Sequence, residues 1–279
     1  MIIHKNQILT ANNKKPILYD VYYQKTTTPM QVVVFCHGYK GFKDWGAWHL
    51  VAKTFANAGF CFVKFNFSHN GGTVEQPIDF PDLEAFSENN FSLELDDLER
   101  VLTEIYSENP NFPNKILNTS LIGHSRGGGI VLIKAEEDNR IHKVVTWAGV
   151  CDFKARFQEG TEAFFNWKNT GLTHVENSRT KQMLPHKFQF YKDFKENETR
   201  FTISRAVKAL KIPYLIVHGD EDPTISLKEA EALKMWNVNA KLEVIKGADH
   251  VFNVAHPWED KNLSKELNLA IDVTISFLK

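Results

Sequence analysis

Ser125 stands in the stretch Leu117 to Ile130, L-N-T-S-L-I-G-H-S-R-G-G-G-I, with a glycine two residues to either side. A serine hydroxyl becomes a nucleophile only when a neighbouring base takes its proton, and a histidine base needs an acid to hold its tautomer and stabilise the imidazolium. Candidates for both lie late in the chain. H-G-D-E-D-P-T-I at 218–225 offers Asp220, Glu221 and Asp222, and K-G-A-D-H-V-F at 246–252 offers Asp249 and His250. The chemistry of such a set is acyl transfer. A chance G-x-S-x-G in a chain of this length has odds of roughly one in ten, so the other parts must decide.

The elements around the serine are those that would position it. Ile116, Leu117, Leu121 and Ile122 supply an apolar run of strand length, and Ile130 to Ala135 continue as a helix. Between them the chain must reverse within about four residues, and Gly123 and Gly127 let strand and helix approach without Cβ clashes. The turn exposes the serine at its tip, and the helix aims its unpaired N–H groups at the same point. Around this unit, strand and helix patterns alternate. Ile17 to Tyr23, Val32 to Phe35, Phe60 to Phe65, Lys143 to Trp147, Tyr214 to His218 and Leu242 to Ile245 read as strands. Trp48 to Phe55, a segment from Phe91, Leu227 to Trp236 and about Glu259 to Phe277 read as helices. In the helix from Phe91, Leu95, Leu98, Leu102 and Ile105 line one face, with Glu94, Asp97, Glu99 and Glu104 off it. This alternation predicts an α/β fold, a mostly parallel central sheet with helices on both faces. In such a sheet, residues just beyond the strand C-terminal ends converge on one edge, which is where Ser125, the three acids of 220–222 and the Asp249-His250 pair fall.

Residues 151–205 interrupt the alternation. They are too long for a βα connection and crowded with phenylalanine and tryptophan, with a hairpin turning at Asn177 and Ser178. We expect a cap over the Ser125 edge, with its aromatics facing an apolar pocket or, for Phe164, Phe165 and Trp167, forming a satellite core; Tyr39, Trp45 and Trp48 are expected on the opposite wall.

The 279 residues suffice for one large α/β domain or two small ones, and no linker, repeat or low-complexity tract divides them. A formal net charge of -1 without a basic block argues against nucleic acid or an anionic membrane as partner and for a small molecule. Cys36, Cys61 and Cys151 are odd in number and lack C-x-x-C spacing, so neither a disulfide framework nor a zinc knuckle is expected, and the first two read as small core residues. With no signal-peptide pattern at the N-terminus and no apolar run of about 20 residues, the expectation is a cytoplasmic protein. No H-E-x-x-H or other metal-ligand spacing occurs, and neither a metal nor another cofactor is expected.

H-G at 37–38, G-H-S-R-G at 123–127, H-G-D-E-D-P-T-I at 218–225 and G-A-D-H at 247–250 together resemble the α/β-hydrolase superfamily, in the chain order Ser, acid, His. Within it the chain looks most like the carboxylesterases and feruloyl-esterase-like enzymes, which border on dienelactone hydrolases and prolyl-oligopeptidase-type peptidases. The resemblance implies one α/β-hydrolase domain over 1–279, a Ser125-His250-Asp222 triad, and an oxyanion hole from the backbone N–H groups of Tyr39 and Arg126. The Arg126 side chain is then free to touch substrate or to lie solvated on the first helical turn. One departure concerns the fourth strand's loop, N-F-S-H-N-G-G where the family pattern is D-x-x-G-x-G. The rivals are Asp152 for the acid and His256 or His69 for the base, while His37 and His124 are expected to support their turns. The reaction implied is ester cleavage through an acyl-enzyme. The alternatives are an amidase or acyl-peptidase of the prolyl-oligopeptidase type and a catalytically silent binding protein of the same fold.

Overall fold

A run such as Val32-Val33-Val34-Phe35 has no polar face and is stable only with a layer packed on each side. The computed structural model describes residues 1–279 and supplies both layers. In chain order the elements are β1 (Ile2–Ala11), β2 (Lys14–Tyr23), β3 (Met30–Cys36), α1 (Trp48–Asn57), β4 (Cys61–Phe65), α2 (Leu83–Glu88), α3 (Phe91–Ile105), β5 (Ile116–His124), α4 (Arg126–Glu137) and β6 (Ile141–Trp147). They continue with α5 (Glu162–Thr170), β7 (Leu172–Glu176), β8 (Met183–Lys187), α6 (Gln189–Glu196), α7 (Glu198–Phe201), α8 (Ile203–Ala209), β9 (Tyr214–Gly219), α9 (Leu227–Trp236), β10 (Lys241–Ile245) and α10 (Lys265–Leu278). No helix is long and apolar enough to cross a membrane.

Eight strands form one sheet in the order β1-β2-β4-β3-β5-β6-β9-β10. The β1/β2 and β2/β4 pairs are antiparallel and every later pair is parallel. From β3 the chain goes to β4 on one side and then crosses to β5 on the other, so a crevice opens beyond the C-terminal ends of β3 and β5. The register levels these tips, with Cys36 opposite Gly123, His124 opposite Trp147 and Gly219 opposite Ile245. One sheet face is buried under α1 and α10, around Phe35, Trp48 and Trp147. The other is buried under α3, α4, α8 and α9.

Three expectations are corrected. In α3, Glu94 and Asp97 are buried beside the apolar stripe rather than off it. Glu94 is held by Arg126 and Asn89, and Asp97 accepts from the Ser68 backbone N–H and from Arg100. The last helix begins at Lys265, not near Glu259. Ser264 caps it by accepting from the Leu267 N–H, while Asp260 folds the preceding residues into a turn by accepting from the Asn262 N–H. Trp45 and Trp48 pack with Phe35 and His256 on the α1 face, away from the insertion.

The connection from β6 to β9 runs through residues 148–213. Its last helix, α8, packs against α4 as an ordinary crossover helix, while 154–201 carry a 3-10 turn at Lys154–Phe157, α5, the β7–β8 hairpin, α6 and α7. The hairpin pairs Glu176 with Met183, leaving a turn of 177–182 in which the Asn177 side chain accepts from the Arg179 N–H. That turn is wider than the two residues at which the sequence places it. The hairpin is fastened to the body by α2, an element without a periodic sequence signal, through a small core of Phe80, Phe86 and Leu184 and through the Lys187 ammonium on Glu84 and Glu88. Each of those three apolar side chains, fully buried, adds roughly 1.5–3 kcal/mol to that attachment.

Candidate active site

The turn between β5 and α4 forces Ser125 into a conformation that few non-glycine residues adopt, with φ 55° and ψ -121°. Such a backbone costs on the order of 1–3 kcal/mol and persists only where its surroundings hold it. They do so here by three hydrogen bonds. The Ser125 N–H donates to the Trp147 carbonyl at 2.9 Å, and the Ser125 carbonyl accepts from the N–H groups of Gly128 at 2.9 Å and Val150 at 3.2 Å. A Cβ on Gly127 would lie 2.5 Å from the carbonyl oxygens of Cys36 and His37, so the approach of α4 to the β3 tip requires glycine there.

His250 reaches the serine from the loop after β10. Its Nε2 lies 3.0 Å from Ser125 Oγ and its Nδ1 lies 2.8 Å from Asp222 Oδ2. The loop is shaped by Asp249, whose side chain accepts from the N–H groups of Val251 and Asn253, and is tied to the β9 tip by the Gly247 N–H on Asp220. Asp222 has no exposed side-chain surface; its other oxygen accepts from the backbone N–H groups of Thr224 and Ile225 at 2.7 and 2.8 Å. Burial alone would raise its pKa. Hydrogen bonds from His218, His250 and the Ile225 N–H outweigh that and hold the carboxyl well below the usual carboxylate range. An ionised Asp222 therefore fixes the proton of a neutral His250 on Nδ1 and leaves Nε2 as an acceptor facing the serine hydroxyl.

The remaining histidines and the rival acid go elsewhere. His124 donates from Nε2 to the His250 carbonyl at 2.9 Å, and burial, then the neighbouring His250, push its pKa down to about 3. His37 takes the Phe67 N–H on Nε2 and bonds the Gly38 carbonyl, with a pKa pushed down to about 4 mainly by burial. His69 bonds Ser68, His256 accepts the Gly46 N–H, and Asp152 is exposed and accepts the Lys154 N–H within its own loop. The Tyr39 N–H, on the loop after β3, has no partner within the chain, and the Arg126 N–H belongs to the first turn of α4, where helical amides have no carbonyl to reach.

Ser125 opens onto a cavity of about 470 Å³ lined chiefly by apolar side chains, among them Phe91, Phe153, Phe157, Phe164, Trp167 and Phe190. Phe164 and Trp167 line the cavity and pack against Phe188 as part of the main core rather than of a satellite one, while Phe165 is exposed. Of the residues expected on the opposite wall, only Tyr39 is there. The Arg126 side chain is not solvated on the helix but borders the cavity. Its guanidinium bonds Glu94 at 2.5 Å and sits 4.9 Å from the Tyr39 ring centre and 5.6 Å from that of Phe190. Glu94 and His186, whose Nε2 lies 2.6 Å from the Tyr39 hydroxyl, are site residues that reading the sequence missed. For Glu94 a signal exists, since it falls three residues after Phe91 and four before Leu98, on the buried stripe of α3. His186 gives none.

Residues 33–260 match the Alpha/beta hydrolase family. Among solved structures, Est1E from Butyrivibrio proteoclasticus is similar at a TM-score of 0.73 and 15% identity over 99% of this chain and 98% of that one, and a second structure of Est1E holds ferulic acid. The esterase domain of a Rhodothermus marinus protein gives 0.66 and 18% over 99% and 98%, and a dienelactone hydrolase from Anabaena variabilis gives 0.64 and 14% over 99% and 96%. No curated protein sequence matches. The family match over most of the chain, together with the sheet order and the strand-turn-helix at Ser125, supports hydrolase activity and shows that the chain belongs to the alpha/beta hydrolase family.

Proposed function

We propose that the protein is a serine hydrolase that cleaves carboxylic esters through an acyl-enzyme. The observation that carries this reading is the position of His250, within hydrogen-bond reach of Ser125 Oγ on one side and of Asp222 on the other, at the mouth of an apolar cavity. In this mechanism His250 Nε2 takes the Ser125 proton as Oγ attacks the ester carbonyl, and Asp222 stabilises the resulting imidazolium. The oxyanion is received by the backbone N–H groups of Tyr39 and Arg126. Collapse expels the alcohol, which takes the proton back from His250, and a water molecule repeats the sequence to free the acid. Residues 154–201 act as a cap that sets substrate preference, and their aromatic lining suits an acyl group with a flat or hydrophobic portion. The ferulic acid held by Est1E, a flat aromatic acid, is consistent with that choice.

A fluorophosphonate probe should label Ser125, and Ser125→Ala should abolish labelling and lower kcat by on the order of 10⁶ without loss of fold. More than a few per cent of activity remaining in pure Ser125→Ala protein would place the nucleophile elsewhere. A screen of short acyl esters, aryl esters and aminoacyl amides on the wild type separates ester from amide cleavage, since an amine leaves only with stronger help from the imidazolium proton.

A further inference from the structure

The cavity beside Ser125 is apolar over most of its wall, yet its charged lining has one sign. Arg126 and Arg156 border it and no aspartate or glutamate does. Arg156 is half outside and committed to Glu229. Arg126 differs in burial, its side chain being 15% exposed, and like Arg156 it gives a single N–H to its carboxylate rather than a two-bond fork. The second Glu94 oxygen, buried, is left without a partner, and the other guanidinium N–H groups have none within the chain. The Tyr39 ring and the Phe190 ring hold the guanidinium plane in place, so these donors are fixed before anything binds. Burial raises the Glu94 pKa against the pull of Arg126 and the hydrogen bond from Asn89.

We infer that the cavity takes an ester whose hydrophobic acyl group carries a carboxylate, bound by the free N–H groups of Arg126. The inference rests on the reading of Ser125 as the ester-cleaving residue for the word ester, but the anion site itself does not depend on turnover. Against a mostly apolar wall a charge-assisted hydrogen bond to a largely buried guanidinium is stronger than at the surface, so one residue suffices to discriminate.

The test measures binding to Ser125→Ala protein by calorimetry, with methyl 3-phenylpropanoate and its three ring-carboxylated derivatives, the ortho, meta and para isomers. At least one isomer should bind about tenfold more tightly than the uncharged parent. That preference should vanish in Ser125→Ala/Glu94→Gln/Arg126→Met. With Glu94→Gln alone, which keeps the shape and the Asn89 contact and removes the countercharge, the preference should grow. Equal affinities for all four esters, a preference that survives loss of Arg126, or a preference that shrinks with Glu94→Gln would each overturn the inference. Hydrolysis of the parent ester by the wild type, followed alongside, tests the proposed activity separately.

Discussion

Two groups of buried charge sit on either side of the β3 tip, and they are built differently. Beneath it, Asp20 on β2, Lys64 on β4 and Lys43 and Asp44 on the loop after β3 form a closed square, each ammonium within 2.9 Å or less of both carboxylates. Every oxygen of the two aspartates is used, and Asp20 also accepts the Asn6 N–H. Above the tip, one Glu94 oxygen and most Arg126 donors are left unpaired. Asp222 holds its carboxylate for a histidine whose other nitrogen faces a hydroxyl, and Arg126 holds donors toward a cavity. A saturated cluster holds strands together; an unsaturated one at a strand tip can act on something else. The closed square should therefore respond to mutation in stability and the open set in turnover.

Asp222→Asn is the strongest test of that division. It keeps the size and the two backbone N–H bonds but offers His250 the wrong partner, so kcat should fall about 10⁴-fold, on the order of 5 kcal/mol of barrier, while the melting temperature changes little. Asp152→Asn, in an exposed loop, should cost almost nothing. Comparable losses from the two would mean that the acid assignment is wrong.

Lys64→Met inverts the pattern. It leaves Asp20 fully buried with one cation fewer, which should cost about 3–5 kcal/mol of unfolding free energy, read as a drop in the denaturant midpoint, with kcat of the protein that remains folded little changed. A mild loss of stability coupled to a large loss of turnover would show that the square serves the site rather than the sheet.

The division also marks what was legible in the sequence. The strand-turn-helix at Ser125 and the two late loops are local: apolar runs of strand length, glycines at a tight reversal and polar tips in a fixed chain order all lie within short windows. The sheet and the meeting of Ser125, His250 and Asp222 follow from those windows because a parallel sheet gathers its strand ends. What was not legible is pairing between distant elements. Glu94 looks like any helix acid until Arg126, 32 residues on, covers it, and Trp48 looks like a pocket wall until α1 is seen to lie on the far face. The start of α10 depended on a single capping serine. α2 is six residues long, too short for a periodic pattern, and exists because Phe86 has Leu184 to pack on.

The smallest expected effect concerns the cap wall of the open set. Burial, then the positive charges of Arg126 and Lys40, push the His186 pKa down to about 3, so the folded protein keeps this imidazole neutral and able to accept the Tyr39 hydroxyl proton in a hydrogen bond. A histidine in the unfolded chain titrates near 6.5. Below about 6.5 the unfolded state therefore takes up a proton that the folded state refuses; the stability tied to His186 is complete above that pH and is lost as the pH falls towards 3. His124 and His37 act in the same direction, and Asp97, whose pKa burial raises to about 7, acts against them. The comparison of variants removes those shared contributions. His186→Gln keeps an acceptor for Tyr39 but cannot titrate, so between pH 6 and 4 its unfolding free energy should fall less steeply than that of the wild type by about 1.4 kcal/mol per pH unit. Chemical denaturation at four or five pH values reads the two slopes, and parallel lines would mean that His186 takes its proton in the folded state and that the wall beside Arg126 is more open to water than its burial implies.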